Sequence, residues 1–188
     1  MSAWTLEVDN VEPWAYWDNF FTPEECEKII SQNINLRKGT TGNNLLLDES
    51  IRKSYINFIP PTKDNVWIFE RLVSVIVELN NKFFNFDLFG LLEGLQFSKY
   101  EAPGGFYRVH IDKMHKGTIR KLSITIQLSN PQDYEGGDLI LHNGEPEKMQ
   151  KELGKLIVFP SYTLHEVTPV TKGTRYSLVA WVAGKPFK

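Results

Sequence analysis

Four side chains in the second half of the chain could do chemistry together: His110 and Asp112 in "FYRVHIDKMH", His165 in "FPSYTLHEVTPV" and Arg175 in "TKGTRYSLVAW". Residues two apart on a strand share a face, so His110 and Asp112 would present an imidazole nitrogen and a carboxylate oxygen side by side. Alone the pair is a weak signal, because two solvated polar residues on a wet sheet face read the same way. His165 lies in an otherwise apolar strand after a Pro-Ser turn, where a satisfied core histidine is the ordinary alternative to a ligand. Arg175 begins a strand whose one face would carry Arg175, Ser177, Val179 and Trp181, and an inward arginine without a partner is costly. Taken together, the four answer one another. Two histidines and a carboxylate make the facial triad that leaves open positions on a non-haem Fe(II), and a guanidinium fork nearby can hold a second carboxylate through two parallel hydrogen bonds. A dicarboxylic keto acid would fit both, chelating iron at one end and meeting the arginine at the other.

The elements that must position these groups read as an α+β arrangement. In "FFTPEECEKIISQNINL", Thr22 as N-cap, Pro23 at the first helical position and Glu25 closing a capping box predict a helix from about Pro23 to Ile34. "NVWIFERLVSVIVELNNKFF" places Val66, Phe69, Val73, Ile76 and Val77 at three- and four-residue steps, which predicts a second amphipathic helix with that face on a core. Between them, 38 to 50 is rich in Gly, Asn and Thr and reads as an exposed loop. After Phe84 the grammar changes to short strands, predicted at 95–100, 106–112, 121–128, 138–142, 154–159, 163–169 and 174–183 and separated by turn-rich stretches such as "APGG", "SNPQDYEGG" and "TKG". Strands this short, with no helix-length crossovers, argue for an antiparallel sandwich or jelly roll behind an N-terminal helical layer. One domain over 1–188 is expected, with the helical layer at about 22–84 and the core at about 95–183.

Composition narrows the partners. A formal net charge of −2 gives no long-range field to draw nucleic acid or an anionic membrane, so neither is expected. Cys26 is the only cysteine, which excludes an intrachain disulfide and any cysteine-built zinc or iron-sulfur centre. The opening "MSAWTLEVDN" has neither a basic n-region nor an apolar h-region. With no long apolar window, a cytoplasmic protein is expected.

At this point the sequence resembles the Fe(II)/2-oxoglutarate-dependent oxygenases, and within them the prolyl-4-hydroxylase-like, PKHD-type branch. The resemblance rests on "YEAPGGFYRVHID", "RKLSITIQLSNPQDYEGGDLIL", "GKLIVFPSYTLHEVTPVTKGTRYSLVAW", "FFTPEECEKII" and "IRKSYINFI", and so covers most of the chain. It implies a double-stranded β-helix with His110, Asp112 and His165 on iron and Arg175 on the far carboxylate of 2-oxoglutarate. The chemistry implied is O2-dependent decarboxylation of that cosubstrate to succinate coupled to hydroxylation of a substrate C–H bond, with ascorbate as an accessory reductant. Retention of Asp112, where related halogenases carry a small residue, argues for hydroxylation. Tyr100 falls where related hydroxylases place a tyrosine lining the cosubstrate pocket, with a strand aromatic as its alternative. Trp181 resembles the family tryptophan near the substrate, with a buried core indole as its rival. The loop from Lys38 to Ser50 with Arg52 resembles the flap that closes over substrate in prolyl hydroxylases, against a plain solvated connection. The implied partner is a peptide or protein containing proline.

Ser123, Thr125, Gln127 and Ser177 share faces from which a further polar contact to the cosubstrate could come, and the sequence does not choose among them. Tyr107, odd-numbered where the metal pair is even, should face away from that pair on a regular strand. His115 and His142 fall in turn-like contexts and are assigned to no metal. The basic run Lys113, Lys116, Arg120 and Lys121 lies near the expected mouth, either as an attraction for acidic groups or as a solvated face. A non-catalytic jelly-roll binding module remains the main rival, although Arg175 has no use in a metal-only or lectin-like site. A zinc hydrolase lacks its H-E-x-x-H helix, and Ser161 in "FPSY" lacks the G-x-S-x-G elbow.

Overall fold

The computed structural model describes residues 11–41, 47–112 and 117–186, with the backbone of 114–115. The N-terminal half supplies strands β1 (Ala15–Trp17), β2 (Arg37–Lys38), β3 (Arg52–Lys53) and β4 (Tyr55–Ile59) and helices α1 (Pro23–Gln32) and α2 (Val66–Leu79), the second running into a π-helical turn, Asn80–Phe84. The rest is β structure: β5 (Leu88–Leu91), β6 (Leu95–Glu101), β7 (Gly105–His110), β8 (Met114–His115), β9 (Thr118–Gln127), β10 (Tyr134–Gly136), β11 (Leu139–Asn143), β12 (Glu145–Lys148), β13 (Leu156–Pro160) and β14 (Leu164–Gly184). The expected antiparallel jelly roll is present, and every strand pairing among the described residues is antiparallel. Of the four strands before α2, β1, β2 and β3 are too short, at two or three residues, to carry a periodicity, and the five residues of β4 barely do.

The capping grammar of α1 is realised as written. Glu25 N donates to Thr22 Oγ1 and Thr22 N donates to Glu25 Oε2. The same Glu25 takes a bidentate ion pair from Arg71 on α2, which ties the two helices together. Helix α2 exists where expected, but on a different face. Ile68, Leu72, Val75, Ile76 and Leu79 are buried, while Val66, Val73 and Val77 are exposed and Phe69 is half-buried. Apolar residues fill ten of the fourteen positions of this helix, so two stripes compete in the sequence, and packing on the sheet selects the one centred on Leu72.

The large sheet runs β1-β13-β9-β14-β6-β4-β2. Strict alternation divides its two faces. Leu122, Ile124 and Ile126 on β9 join Leu178, Ala180 and Val182 on β14, and Leu95 and Phe97 on β6, in one core with the helices. Each such fully buried aliphatic contributes about 1.5–3 kcal/mol. The intervening Ser123, Thr125, Gln127, Arg175, Ser177, Gln96 and Ser98 are also buried, on the opposite face, toward the second sheet. That sheet consists of β3, β7, the first half of β14, β10, β11 and β12.

Strand β14 belongs to both sheets. Its first half pairs with β7 and β11, its second half with β6 and β9, and β10 pairs with its middle. The "TKG" expected to be a turn is therefore a bend within one 21-residue strand. Gly173, at φ +69°, makes that bend, where a Cβ would meet Asp133 O at 2.0 Å. His165 and Arg175 are thus carried on one strand, and each is delivered to the same inter-sheet space. Among the described residues no helix is long and apolar enough to cross a membrane.

Candidate active site

His110 ends β7, Asp112 follows it and His165 lies on β14 directly opposite His110. One ligand atom from each lies within 4.8 Å of the others. His110 Nε2 is 3.9 Å from Asp112 Oδ1, and His165 Nε2 is 3.4 Å from Asp112 Oδ2. Asp112 is not in the strand, which stops two residues short of its expected end. Its backbone N–H donates instead to Ser161 O, and its carboxylate accepts from Ser123 Oγ at 3.0 Å.

Both imidazoles are oriented by their own backbone. His110 Nδ1 lies 2.7 Å from Arg108 O and His165 Nδ1 3.0 Å from Thr163 O. A carbonyl only accepts, so each Nδ1 carries a proton and each Nε2 is turned toward Asp112; on a neutral ring it offers a lone pair to a metal, and on the charged His165 ring it donates to Asp112. Two nitrogens and a carboxylate oxygen so disposed can share one first-row divalent ion at about 2.0–2.2 Å after slight contraction. Without a metal the cluster stores charge. Burial and the neighbouring His165 pull the His110 imidazole down to about 4. For His165, burial also pulls downward, but the charge and hydrogen bond of Asp112 outweigh it and hold the pKa above the ordinary value. Burial likewise pushes Asp112 upward, and its histidine neighbours reverse this, leaving it below the usual carboxylate range.

Tyr107 overturns its expectation. It pairs with Val167 while His110 pairs with His165, so three steps on β7 face two on β14 and the ladder shifts register between them. This bulge turns Tyr107 to the same side as His110, and the two rings stack with centroids 3.6 Å apart at 19°. Phe159 meets the His165 ring edge-on at 4.8 Å, which completes an aromatic wall around the imidazoles.

Arg175 lines the same cavity and is 1% exposed. Its Nη2 donates to Gln127 Oε1 at 3.1 Å, its Nη1 approaches Ser177 Oγ at 3.4 Å, and its guanidinium lies 5.5 Å from the centre of the Tyr100 ring. Among the described residues no carboxylate pairs with it. A charge this deep without a counter-charge is a cradle for an anion. Gly137, at φ +60°, backs the arginine, since a Cβ there would come within 3.1 Å of Arg175 Cδ. Of the four unassigned polar residues, Ser123 donates to Asp112 in the cluster, Gln127 and Ser177 serve Arg175, and Thr125 lines the cavity.

Trp181 is buried and lines the cavity, with Arg120 stacked 3.8 Å over its ring. Arg120 is not the solvated group that the basic run suggested. It is nine-tenths buried and gives Glu93 a bidentate ion pair. Lys113, Lys116 and the side chain of His115 lie outside the described residues. His142 is on β11 and pairs with Glu166, away from the cluster. Of the expected flap, 42–46 lies outside the described residues, while Thr40 and Arg52 line the cavity. Sequence reasoning missed Tyr107, Glu93 and Ser161. Ser161 is fully buried, with its hydroxyl 2.9 Å from that of Ser123, and only the register of β13 against β9 reveals the contact.

Residues 95–183 match the 2OG-Fe(II) oxygenase superfamily. A PKHD-type hydroxylase of Gloeothece citriformis is 44% identical over 95 residues, covering 48% of this chain and 43% of the relative. The chain thus spans less than half the length of that relative. Among solved structures, a prolyl-4-hydroxylase of Pseudomonas putida superposes with a TM-score of 0.73 at 22% identity, covering 93% of this chain and 94% of that one. A prolyl hydroxylase of Trichoplax adhaerens, solved with a peptide fragment of hypoxia inducible factor, gives 0.75 at 21%, covering 92% and 84%. At these identities the structural likeness establishes the jelly-roll fold.

Proposed function

We propose that the chain is an Fe(II)/2-oxoglutarate-dependent dioxygenase that hydroxylates a prolyl residue in a peptide or protein, a reading supported by the match of residues 95–183 to the 2OG-Fe(II) oxygenase superfamily and by the likeness to a PKHD-type hydroxylase. The observation that carries this reading is one cavity holding both the His110, Asp112 and His165 cluster and a buried arginine with no carboxylate partner among the described residues. In it, His110, Asp112 and His165 hold the iron, and Arg175, steadied by Gln127 and Ser177, receives the distal carboxylate of 2-oxoglutarate. Bound iron with 2-oxoglutarate and O2 supplies an oxidative decarboxylation to succinate and CO2 coupled to oxygen insertion into a C–H bond.

The chain's own residues then orient and exclude water. Tyr100 forms the aromatic side of the cosubstrate pocket. Tyr107 and Phe159 keep solvent from the imidazole rings, and Trp181 offers a flat surface on which a proline ring can pack. Arg52 lies on the substrate side. Ascorbate serves as an accessory reductant. The reading takes the chain as one oxygenase domain, with its single thiol suited to the reducing cytoplasm.

The PKHD-type relative and the peptide-bound hydroxylase support the prolyl substrate. The test is incubation of proline-containing peptides with the protein, Fe(II), 2-oxoglutarate and O2. Succinate release matched by the gain of one oxygen on the peptide is the expected result, and succinate without any modified peptide would overturn the prolyl assignment.

A further inference from the structure

Arg52 on β3 is 5% exposed and has no ion-pair partner among the described residues. Residues 42–46 and 113–116, which adjoin the cavity mouth in sequence, contain no Asp or Glu. Its guanidinium sits in a built cradle. Nε donates to Ser54 Oγ at 2.7 Å, Nη1 donates to Thr40 O at 3.3 Å, and the planar face lies 4.6 Å from the centre of the Tyr107 ring. Gly39 closes the back, because a Cβ there would stand 2.6 Å from Arg52 Nε. The remaining nitrogen, Nη2, is buried without any hydrogen-bond partner. The residue lines the same cavity as the metal cluster, and Tyr107, stacked on His110, separates it from that cluster.

Charge decides what the free nitrogen is for. If the dioxygenase reading holds, Fe(II) with Asp112, together with Arg175 and the 2-oxoglutarate dianion, sums to zero, and Arg120 is cancelled by Glu93. Arg52 then remains as one buried positive charge with no carboxylate opposite it among the described residues. A neutral peptide carbonyl would fill the hydrogen bond and leave the charge uncompensated, whereas a carboxylate supplies both. Arg37, exposed on β2 and also lining the cavity, adds positive charge at the rim. We propose that Arg52 receives a carboxylate of the acceptor substrate, so that the substrate is an acidic peptide with Asp or Glu close in sequence to the target residue. This rests on the assignment of the cavity as an oxygenase active site.

The test uses short peptides with one central proline and a single glutamate walked through the flanking positions, each compared with its glutamine counterpart. Fluorescently labelled peptides are titrated into the metal-free protein and into protein holding Mn(II) and 2-oxoglutarate, with anisotropy as the readout. At one position glutamate is expected to bind about tenfold or more tighter than glutamine, the scale of a hydrogen bond between charged groups. Arg52→Gln should abolish that preference. Arg52→Lys, which keeps the charge and loses the fork, should retain part of it, and so separates recognition from failure to fold. Equal binding of both members at every position, no binding of any peptide, or a preference that survives in Arg52→Gln overturns the proposal. Binding of 2-oxoglutarate measured in parallel tells the two failures apart: if it binds and depends on Arg175, the oxygenase reading stands and only the acidic substrate falls.

Discussion

Ser123→Ala removes one oxygen from a buried position and leaves two neighbours unserved. Ser123 Oγ gives its proton to Asp112 Oδ2 at 3.0 Å, so at 2.9 Å it accepts from Ser161 Oγ. The two serines are 1% and 0% exposed, and solvent cannot replace the lost oxygen. Loss of a hydrogen bond that orients a ligating carboxylate costs about 10–100-fold in metal affinity. The orphaned Ser161 hydroxyl adds a folding penalty of about 1–3 kcal/mol. The two effects are separable, because Ser161→Ala keeps the bond from Ser123 to Asp112 and should lower stability while changing metal affinity far less. Competitive Mn(II) titration against a chelating fluorophore, with thermal unfolding of the metal-free protein alongside, measures both. Unchanged metal affinity in folded Ser123→Ala, or an equal loss in Ser161→Ala, would refute the orienting role.

His165→Ala should abolish metal retention, whereas Arg175→Ala should keep the metal and weaken 2-oxoglutarate binding; similar metal loss in both, measured by elemental analysis and cosubstrate titration, contradicts the division of roles. Because Asp112 holds the pKa of His165 above its ordinary value, metal loading should displace protons from this ring, and apparent metal affinity should weaken as pH falls. Calorimetry in buffers of different ionisation enthalpy reads the proton count. In the metal-free protein the sign is opposite: the stabilisation from charged His165 is present below its ordinary pKa and is lost as pH rises through the raised one. Leu72→Ala, at a fully buried position on α2, should cost about 2–5 kcal/mol in denaturant unfolding and leave metal affinity intact, whereas Val73→Ala, on the exposed face, should cost far less.

What was legible in the sequence follows from how local each signal is. The cap of α1 needs only Thr22, Pro23 and Glu25, which are close neighbours, and it forms as written. The triad and Arg175 were legible as a set, because two histidines, an aspartate and an inward arginine among short apolar strands answer one another, and the structure brings all four to one cavity. Tyr107 was not, because a bulge changes the face of a residue without changing its spacing. The buried face of α2 was ambiguous because apolar residues also stand at Val66, Val73 and Val77, outside the stripe that packs on the core, so only the sheet beneath it breaks the tie. The continuity of β14 through "TKG" was hidden because Gly173 reads as a turn but makes a bend that carries one strand between two sheets. Glu93 and Arg120, 27 positions apart, meet only because β9 and the strands on either side of Glu93 all pair with β14.

The central claim is that His110, Asp112 and His165 converge on one ferrous ion and that Arg175 holds a dicarboxylate beside it. Anaerobic titration of the folded protein with Fe(II) and then 2-oxoglutarate tests it most directly. A visible charge-transfer band, appearing only when both are present, is expected for a keto acid chelated to ferrous iron. That band should weaken in Arg175→Ala and vanish in His165→Ala. Folded protein that binds both without the band, or a band indifferent to His165, would contradict the account.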